Sequence, residues 1–328
     1  MAALFDLGYP ASEYKSHRPS YRGTSLQTFH ARFPDEEACI AHVFKVRYGL
    51  SPTCPKCGRA GRWYRIAGTK RFQHPCGQGI WPLTGTLFER SNIPLQLWFY
   101  ALLHFANSTY GVPSTFLGRH IGLSTKAAFR MVDRIRTHMA ALDFERRVGS
   151  AGNPVEVRIE YLAGIRTAGY PVRGSAKAVI LGDAHSVQAT LIGRARRHVL
   201  SQIIRDKCTP GVIPVTSCAY THSVLGEFGT RTPGAGFVRD PIKTGAGTNP
   251  IRSFLIYLKR PMHETYRRVD YANLWKYLKE FEFSFNRRTR SHEIFDDLVA
   301  RFPDISPGRS ALLEAWSSRA APTRRTQA

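Results

Sequence analysis

Two short stretches constrain this chain more than anything else in it: Cys54-Pro55-Lys56-Cys57-Gly58 and His74-Pro75-Cys76-Gly77. Two thiolates three positions apart, followed by a glycine that permits the turn, can point at a single ion. A second turn-borne pair of nitrogen and sulfur donors completes four ligands, which suits a closed tetrahedral Zn²⁺ site. The expected ligands are Cys54, Cys57, His74 and Cys76, although an H-x-C second half is an unusual spacing. So small a ribbon cannot fold by apolar burial alone, so its zinc is structural. Cys39, Cys208 and Cys218 are left over. The six cysteines are too few and too unevenly placed for a disulfide framework, and a reducing cytoplasm fits them best.

Charge narrows the partner. Lys and Arg number 47 against 24 Asp and Glu, a formal net charge of +23. A field of that size on a globular chain points to a polyanion, and double-stranded DNA is the expected one. A protein of this kind would be cytoplasmic and nucleoid-associated. Apolar residues make up 43% of the chain, enough to build a core rather than a disordered polymer. No apolar run reaches the length of a membrane span, and the first residues lack the pattern of a signal peptide.

Periodicity and turn residues divide the chain into five parts: a loose arm over 1–25, a ribbon with a preceding helix over 26–92, a helical region over 93–150, a domain of short β-type runs and helices over 151–290, and a C-terminal helix with a basic tail over 291–328. Pro34-Asp35-Glu36-Glu37 is a helix entry with acids placed for the dipole. Within the helical region, Ser114 to Ile135 has the rhythm of a helix-turn-helix. Phe116, Leu117 and Ile121 would pack one helix, Gly122 permits the turn, Leu123 plugs it, and Ser124 caps the next. Ala128, Met131, Val132 and Ile135 then form a buried side. Lys126, Arg130 and Arg134 share the outward face, where they could meet phosphates or base edges. Other candidate DNA contacts are Arg194, Arg196 and Arg197 ahead of a helix, and Arg287 and Arg288 at the end of an aromatic one.

The order of these features resembles the IS1595 (ISXO2-like) insertion-sequence transposases. The matching stretches are CPKCG, FQHPCGQGIWPLTGTLFERS, LWFYALLHF, HIGLSTKAAFRMVDRIR, VEVRIEYLAG, TNPIRSFLIYLKR and TYRRVDYANLWKYLKEFEFSFNRR, spanning about residues 27 to 290. The resemblance implies an α+β multidomain protein: a zinc ribbon and helix-turn-helix followed by an RNase H-like α/β domain of the DDE type. It also implies two-metal phosphoryl transfer, with three acids holding two Mg²⁺ ions, and a possible homo-oligomer on DNA.

The chain departs from that family at the acids. The position of the first carboxylate, after Val155-Glu156-Val157, is Arg158; the second, after Thr216, is Ser217; the third, in Thr248-Asn249-Pro250-Ile251, is Arg252. Asn249 and Lys259 keep the family's pattern, whereas a histidine expected before Thr248 is Gly247. Arginine offers donors only and repels a divalent cation. The expectation is therefore a DNA-binding protein with a degenerate, inactive nuclease site. The alternative is an active transposase that uses Mg²⁺ with displaced acids, Glu160, Asp183 and Asp240, with Glu156 close by.

Overall fold

The computed structural model describes residues 23–162, 176–216, 249–266 and 269–319, together with 167–168, 221, 225 and 236–237. The arm over 1–22, the basic tail after 319, Ser217, Cys218, Asp240, Gly247 and Thr248 lie outside the described residues.

Two helices open the described chain, α1 (Leu26–Arg32) and α2 (Glu36–Tyr48). The Asp35 carboxylate accepts from the Ala38 amide at 2.8 Å and starts α2, with Glu36 and Glu37 in its first turn. Three strands of two residues each follow: β1 (Tyr64–Arg65), β2 (Phe72–Gln73) and β3 (Gly79–Ile80), paired as an antiparallel meander. So small a sheet has one apolar face to bury. It lays Phe72 on Phe44 of α2, with ring centroids 4.1 Å apart. α3 (Leu95–Asn107) runs through the middle of this half with Trp98, Phe99, Leu102 and Phe105 buried. α4 (Ser114–Ile121) and α5 (Thr125–Leu142) complete it, breaking at Gly111 and Gly122 as the glycines suggest.

β4 (Pro154–Tyr161) enters a mixed sheet at its centre. Short β5 (Thr167–Ala168) is followed by β6 (Lys177–Gly182), β7 (Val187–Ile192), α6 (Arg197–Lys207), β8 (Ile213–Thr216) and β9 (Gly236–Phe237). α7 (Pro250–Glu264), β10 (Val269–Asp270) and α8 (Leu274–Phe285) come next, then α9 (Ile294–Val299), α10 (Pro307–Ser317) and β11 (Ser318–Arg319). The sheet order is β11-β7-β6-β4-β8-β9. β7, β6 and β4 are antiparallel, while β8 runs parallel to β4 and β9 to β8. Alternation along each strand supplies two apolar faces. Val155, Val157, Val179 and Leu181 pack on Leu200, Ile203 and Ile204 of α6. Ala178, Ile180, Ala189 and Leu191 pack on α7 and α8 through Phe254, Leu258, Leu278 and Phe281.

The C-terminal stretch is not an appendage. Phe295, Leu298, Val299 and Phe302 complete the core formed by α1, α2 and α3, and β11 adds a parallel edge to β7. Apolar periodicity announces that a helix has a buried face, but does not say against what. Here the partner is nearly the whole chain away: Phe295 stands 5.9 Å from Phe29, ring to ring.

Candidate metal centre and nucleic-acid interface

The ligand atoms of Cys54, Cys57, His74 and Cys76 all lie within 4.8 Å of one another. Cys54 Sγ is 3.4 Å from Cys76 Sγ, His74 Nδ1 is 3.1 Å from Cys76 Sγ, and Cys57 Sγ is 3.6 Å from His74 Nδ1. Donor–metal distances of about 2.0–2.3 Å put the edges of a tetrahedron at about 3.3–3.8 Å, so the set fits one ion. The two knuckles differ by one residue, and the backbone shows how both work. The Gly58 amide donates to Cys54 O at 2.9 Å, whereas the Gly77 amide donates to His74 O at 2.9 Å and closes a shorter turn. Both glycines are left-handed, at φ +69° and +86°, a conformation other residues resist. An imidazole Nδ1 stands one bond farther from the backbone than a thiolate sulfur, so the shorter turn still delivers it. Burial raises the Cys54 thiol pKa, but amide hydrogen bonds from Cys57 and Lys56 and the neighbouring thiols outweigh burial and hold it below the ordinary value. The far side of His74 faces Gly61, where a Cβ would lie 3.2 Å from Nε2, and Trp63 covers the ring at 5.2 Å.

α4 and α5 are joined by Gly122, Leu123 and Ser124. Gly122 is left-handed at φ +73°, and the Ser124 hydroxyl accepts from the Ala127 amide at 3.3 Å. The helices cross at Gly118, where a Cβ would sit 3.0 Å from Ala128 Cβ and 3.2 Å from Leu123 O. Ala128, Met131, Val132 and Ile135 are buried, and Lys126 and Arg130 are exposed on the first two turns of α5. Arg134 is not free for DNA: its guanidinium donates to Glu89 O at 2.6 Å and Leu87 O at 3.3 Å. The turn after the ribbon packs beside α5, and its carbonyls need donors.

Arg194, Arg196 and Arg197 are exposed at the start of α6. The expectation for the other pair is corrected. Arg287 is buried, donating from Nη1 and Nη2 to both Asp143 oxygens at 2.8 Å and from Nε to Asp297 at 2.6 Å. Arg288 donates to His185 O and Phe285 O. Arg287 ties the end of α5 to α9, and Arg288 ties the end of α8 to the turn between β6 and β7. Asp143 and Asp297 gave no sign in the sequence of being partners of Arg287.

On β4, Glu156, Arg158 and Glu160 occupy one face. Arg158 Nη2 is 3.1 Å from Glu160 Oε1, and Nε is 3.8 Å from Glu156 Oε1. Glu156 is fully buried and accepts from Asn249 Nδ2 at 2.5 Å. Asn249 also caps α7, accepting the Arg252 amide at 3.1 Å. The start of α7 is thereby drawn to the centre of the sheet, with Arg252 in its first turn and Lys259 half-buried farther along. β8 pairs Val215 with Glu156, so Thr216 ends beside the same place. Asp183 does not join it. One carboxylate oxygen accepts from the His185 and Ser186 amides and the Ser186 hydroxyl, and the other from the Gly149 amide. An Asp three residues ahead of a Ser at a strand end is a turn signature that could have identified this role.

No helix among the described residues is long and apolar enough to cross a membrane. No curated protein and no solved structure matches the chain. Residues 34–78, which contain α2 and all four ligands of the metal centre, match the family described as the transposase zinc-ribbon domain of IS1595 type. That stretch of the chain is thus similar to the zinc-ribbon domain of the IS1595 transposases.

Proposed function

We propose that the chain is a zinc-containing DNA-binding protein on an IS1595-type transposase scaffold, with a helix-turn-helix in α4 and α5 and an RNase H-like domain whose catalytic carboxylates have been replaced. One observation carries the inactive reading: the Arg158 guanidinium lies between Glu156 and Glu160 on the central strand, within 3.8 Å of both. A cation already neutralises the two acids that a displaced site would need. Hard divalent ions require several oxygen ligands and gain nothing from a neighbouring guanidinium. The described residues at the centre of the sheet therefore do not fit Mg²⁺, and Asp183 is spent on backbone amides. The mixed sheet with helices on both faces suits the RNase H-like assignment. The Cys₃His donor set suits zinc, held for structure, because all four positions are filled by protein.

Duplex binding falls to Lys126 and Arg130, with Arg194, Arg196 and Arg197 as a second basic edge. Each phosphate contact removed lowers the slope of log affinity against log salt by about 1. Lys126→Ala and Arg130→Ala are expected to do so in titrations with duplex carrying the gene's own flanking sequences. An unchanged slope in both would remove α5 from the interface. Nicking of the same duplex in Mg²⁺ or Mn²⁺ tests the inactive reading. The unaltered protein should not cut, and the variant Arg158→Asp with Ser217→Asp and Arg252→Glu should regain cleavage. Cutting by the unaltered protein would refute the inactive site and favour an active transposase with displaced acids.

A further inference from the structure

Residues 51–81 hold Lys56, Arg59, Arg62, Arg65, Lys70 and Arg71 and no aspartate or glutamate. The meander formed by β1, β2 and β3 has one face turned inward, with Phe72 buried and Ile80 packed on the core of α2 and α3. The pleat turns Tyr64, Gln73 and Gly79, which sit opposite one another, to the other side. Tyr64 and Trp81, two positions after Gly79, are each 54% exposed. The guanidinium of Arg71 lies over Gly79 on the same sheet. A Cβ on Gly79 would collide with it, and its Nη2 reaches Gly77 O at 3.5 Å. No described segment covers this face.

Two half-exposed aromatic rings and an arginine plane on a wholly basic ribbon are poorly explained by phosphate contact alone. Duplex DNA stacks its bases on one another and offers rings only charge to meet. Unpaired bases offer flat faces, and stacking on an aromatic ring contributes about 1–3 kcal/mol per base. We propose that this face of the ribbon is a stacking platform for single-stranded DNA. Trp81 and Tyr64 receive bases, Arg71 adds its guanidinium on the same sheet, and the exposed Lys56, Arg59 and Arg62 meet the phosphates. The proposal rests on the DNA-binding reading for its class of partner but uses a surface separate from Lys126 and Arg130.

The test is fluorescence anisotropy of the full-length, zinc-loaded protein with a short labelled oligothymidine and with a duplex of equal length in the same salt. Trp81→Ala and Tyr64→Ala are each expected to weaken oligothymidine binding by about 5- to 150-fold, the range that stacking of one base implies. Duplex affinity should change less than about twofold, and Trp81→Phe should bind nearly as the unaltered protein does. Both side chains are half exposed, so neither variant removes core, and zinc content checks the fold. Loss of equal size on the duplex, or no loss on oligothymidine in either alanine variant, would overturn the platform. So would an unaltered protein that binds the duplex and not oligothymidine. If oligothymidine binding depends on Trp81 while Lys126→Ala and Arg130→Ala leave the duplex untouched, the platform stands and the helix-turn-helix reading fails.

Discussion

At the scale of single residues, burial decides what each ionisable group can do. His138 is fully buried on α5, and its Nε2 donates to Leu298 O at 2.9 Å, holding the end of α9. Burial drives its pKa from 6.5 down to about 4, so the ring is neutral in the folded protein. In the unfolded chain the same ring takes a proton near 6.5, so below that pH the unfolded state binds more protons and stability falls. Its contribution is fully present above pH 6.5 and is lost as the pH descends toward about 4, by about 1.4 kcal/mol per unit. His42, lowered chiefly by burial, pulls in the same direction. His138→Gln keeps a donor for Leu298 O and cannot titrate. Urea unfolding at pH 7 and pH 5 should show the unaltered protein losing about 2 kcal/mol more between the two than the variant. Equal losses would mean that the folded ring is protonated as readily as the unfolded one. The catalytic question is also a residue question: Glu156 and Glu160 look like candidate ligands in the sequence, and the position of Arg158 between them is a fact of side-chain placement.

At the scale of elements, the crossing of α4 and α5 depends on the absence of one methyl group. A glycine inside a helix ordinarily costs about 1 kcal/mol relative to alanine. At Gly118 that cost is accepted because a Cβ would meet Ala128 Cβ at 3.0 Å and Leu123 O at 3.2 Å. α5 cannot retreat easily, since Arg134 holds it to Leu87 and Glu89 and Arg136 holds it to Glu280. Gly118→Ala is therefore expected to destabilise by about 1 kcal/mol rather than stabilise. Ala128→Gly in that background should recover more than the helical cost of glycine predicts. A double-mutant cycle on unfolding free energies reads the coupling, expected above about 0.5 kcal/mol. Coupling near zero would show that the crossing yields freely. The turn itself is legible: Gly122, Leu123 and Ser124 announce it in order, and each takes its expected role. The closeness of the crossing is not legible, because a glycine within a helix reads first as a weak point.

At the scale of the whole molecule, α5 is the beam between the ribbon half and the sheet half. Arg136 is buried and donates to Glu280 of α8 at 2.6 Å, under the Tyr277 ring with its carbon 3.9 Å from the centroid. Tyr266 OH donates to the other Glu280 oxygen at 2.8 Å and accepts from the Val112 amide at 2.8 Å. Burial alone would lower the Arg136 pKa, yet Glu280 and the two tyrosines more than offset this and hold it above its ordinary value. Lys276 with Asp133 pins the same two helices at another point, and Arg287 with Asp143 joins the chain just past their C-terminal ends. A buried pair is not in itself strong evidence of stability, but removing one partner leaves the other charge stranded, at about 3–5 kcal/mol. Glu280→Gln should cost that much in urea unfolding, and Arg136→Met with Glu280→Gln should recover a substantial part. If the single variant loses less than about 1 kcal/mol, the pair is not what joins the two halves.

By itself the sequence determined the local features: the four residues placed to hold a metal, the acid-led start of α2, the turn between α4 and α5, and the short β-type runs from β4 onward. Each is set by residues a few positions apart, whose turn geometry, capping groups and periodicity act before any distant contact forms. Tertiary structure alone decided which basic residues stay on the surface. Lys126 and Arg130 remain outside, while Arg134, Arg287 and Arg288 are drawn to carbonyls and carboxylates from remote segments. It also decided that the C-terminal helices close the first core. A charged or apolar side chain states what kind of partner it needs, and only the packed chain brings that partner within reach.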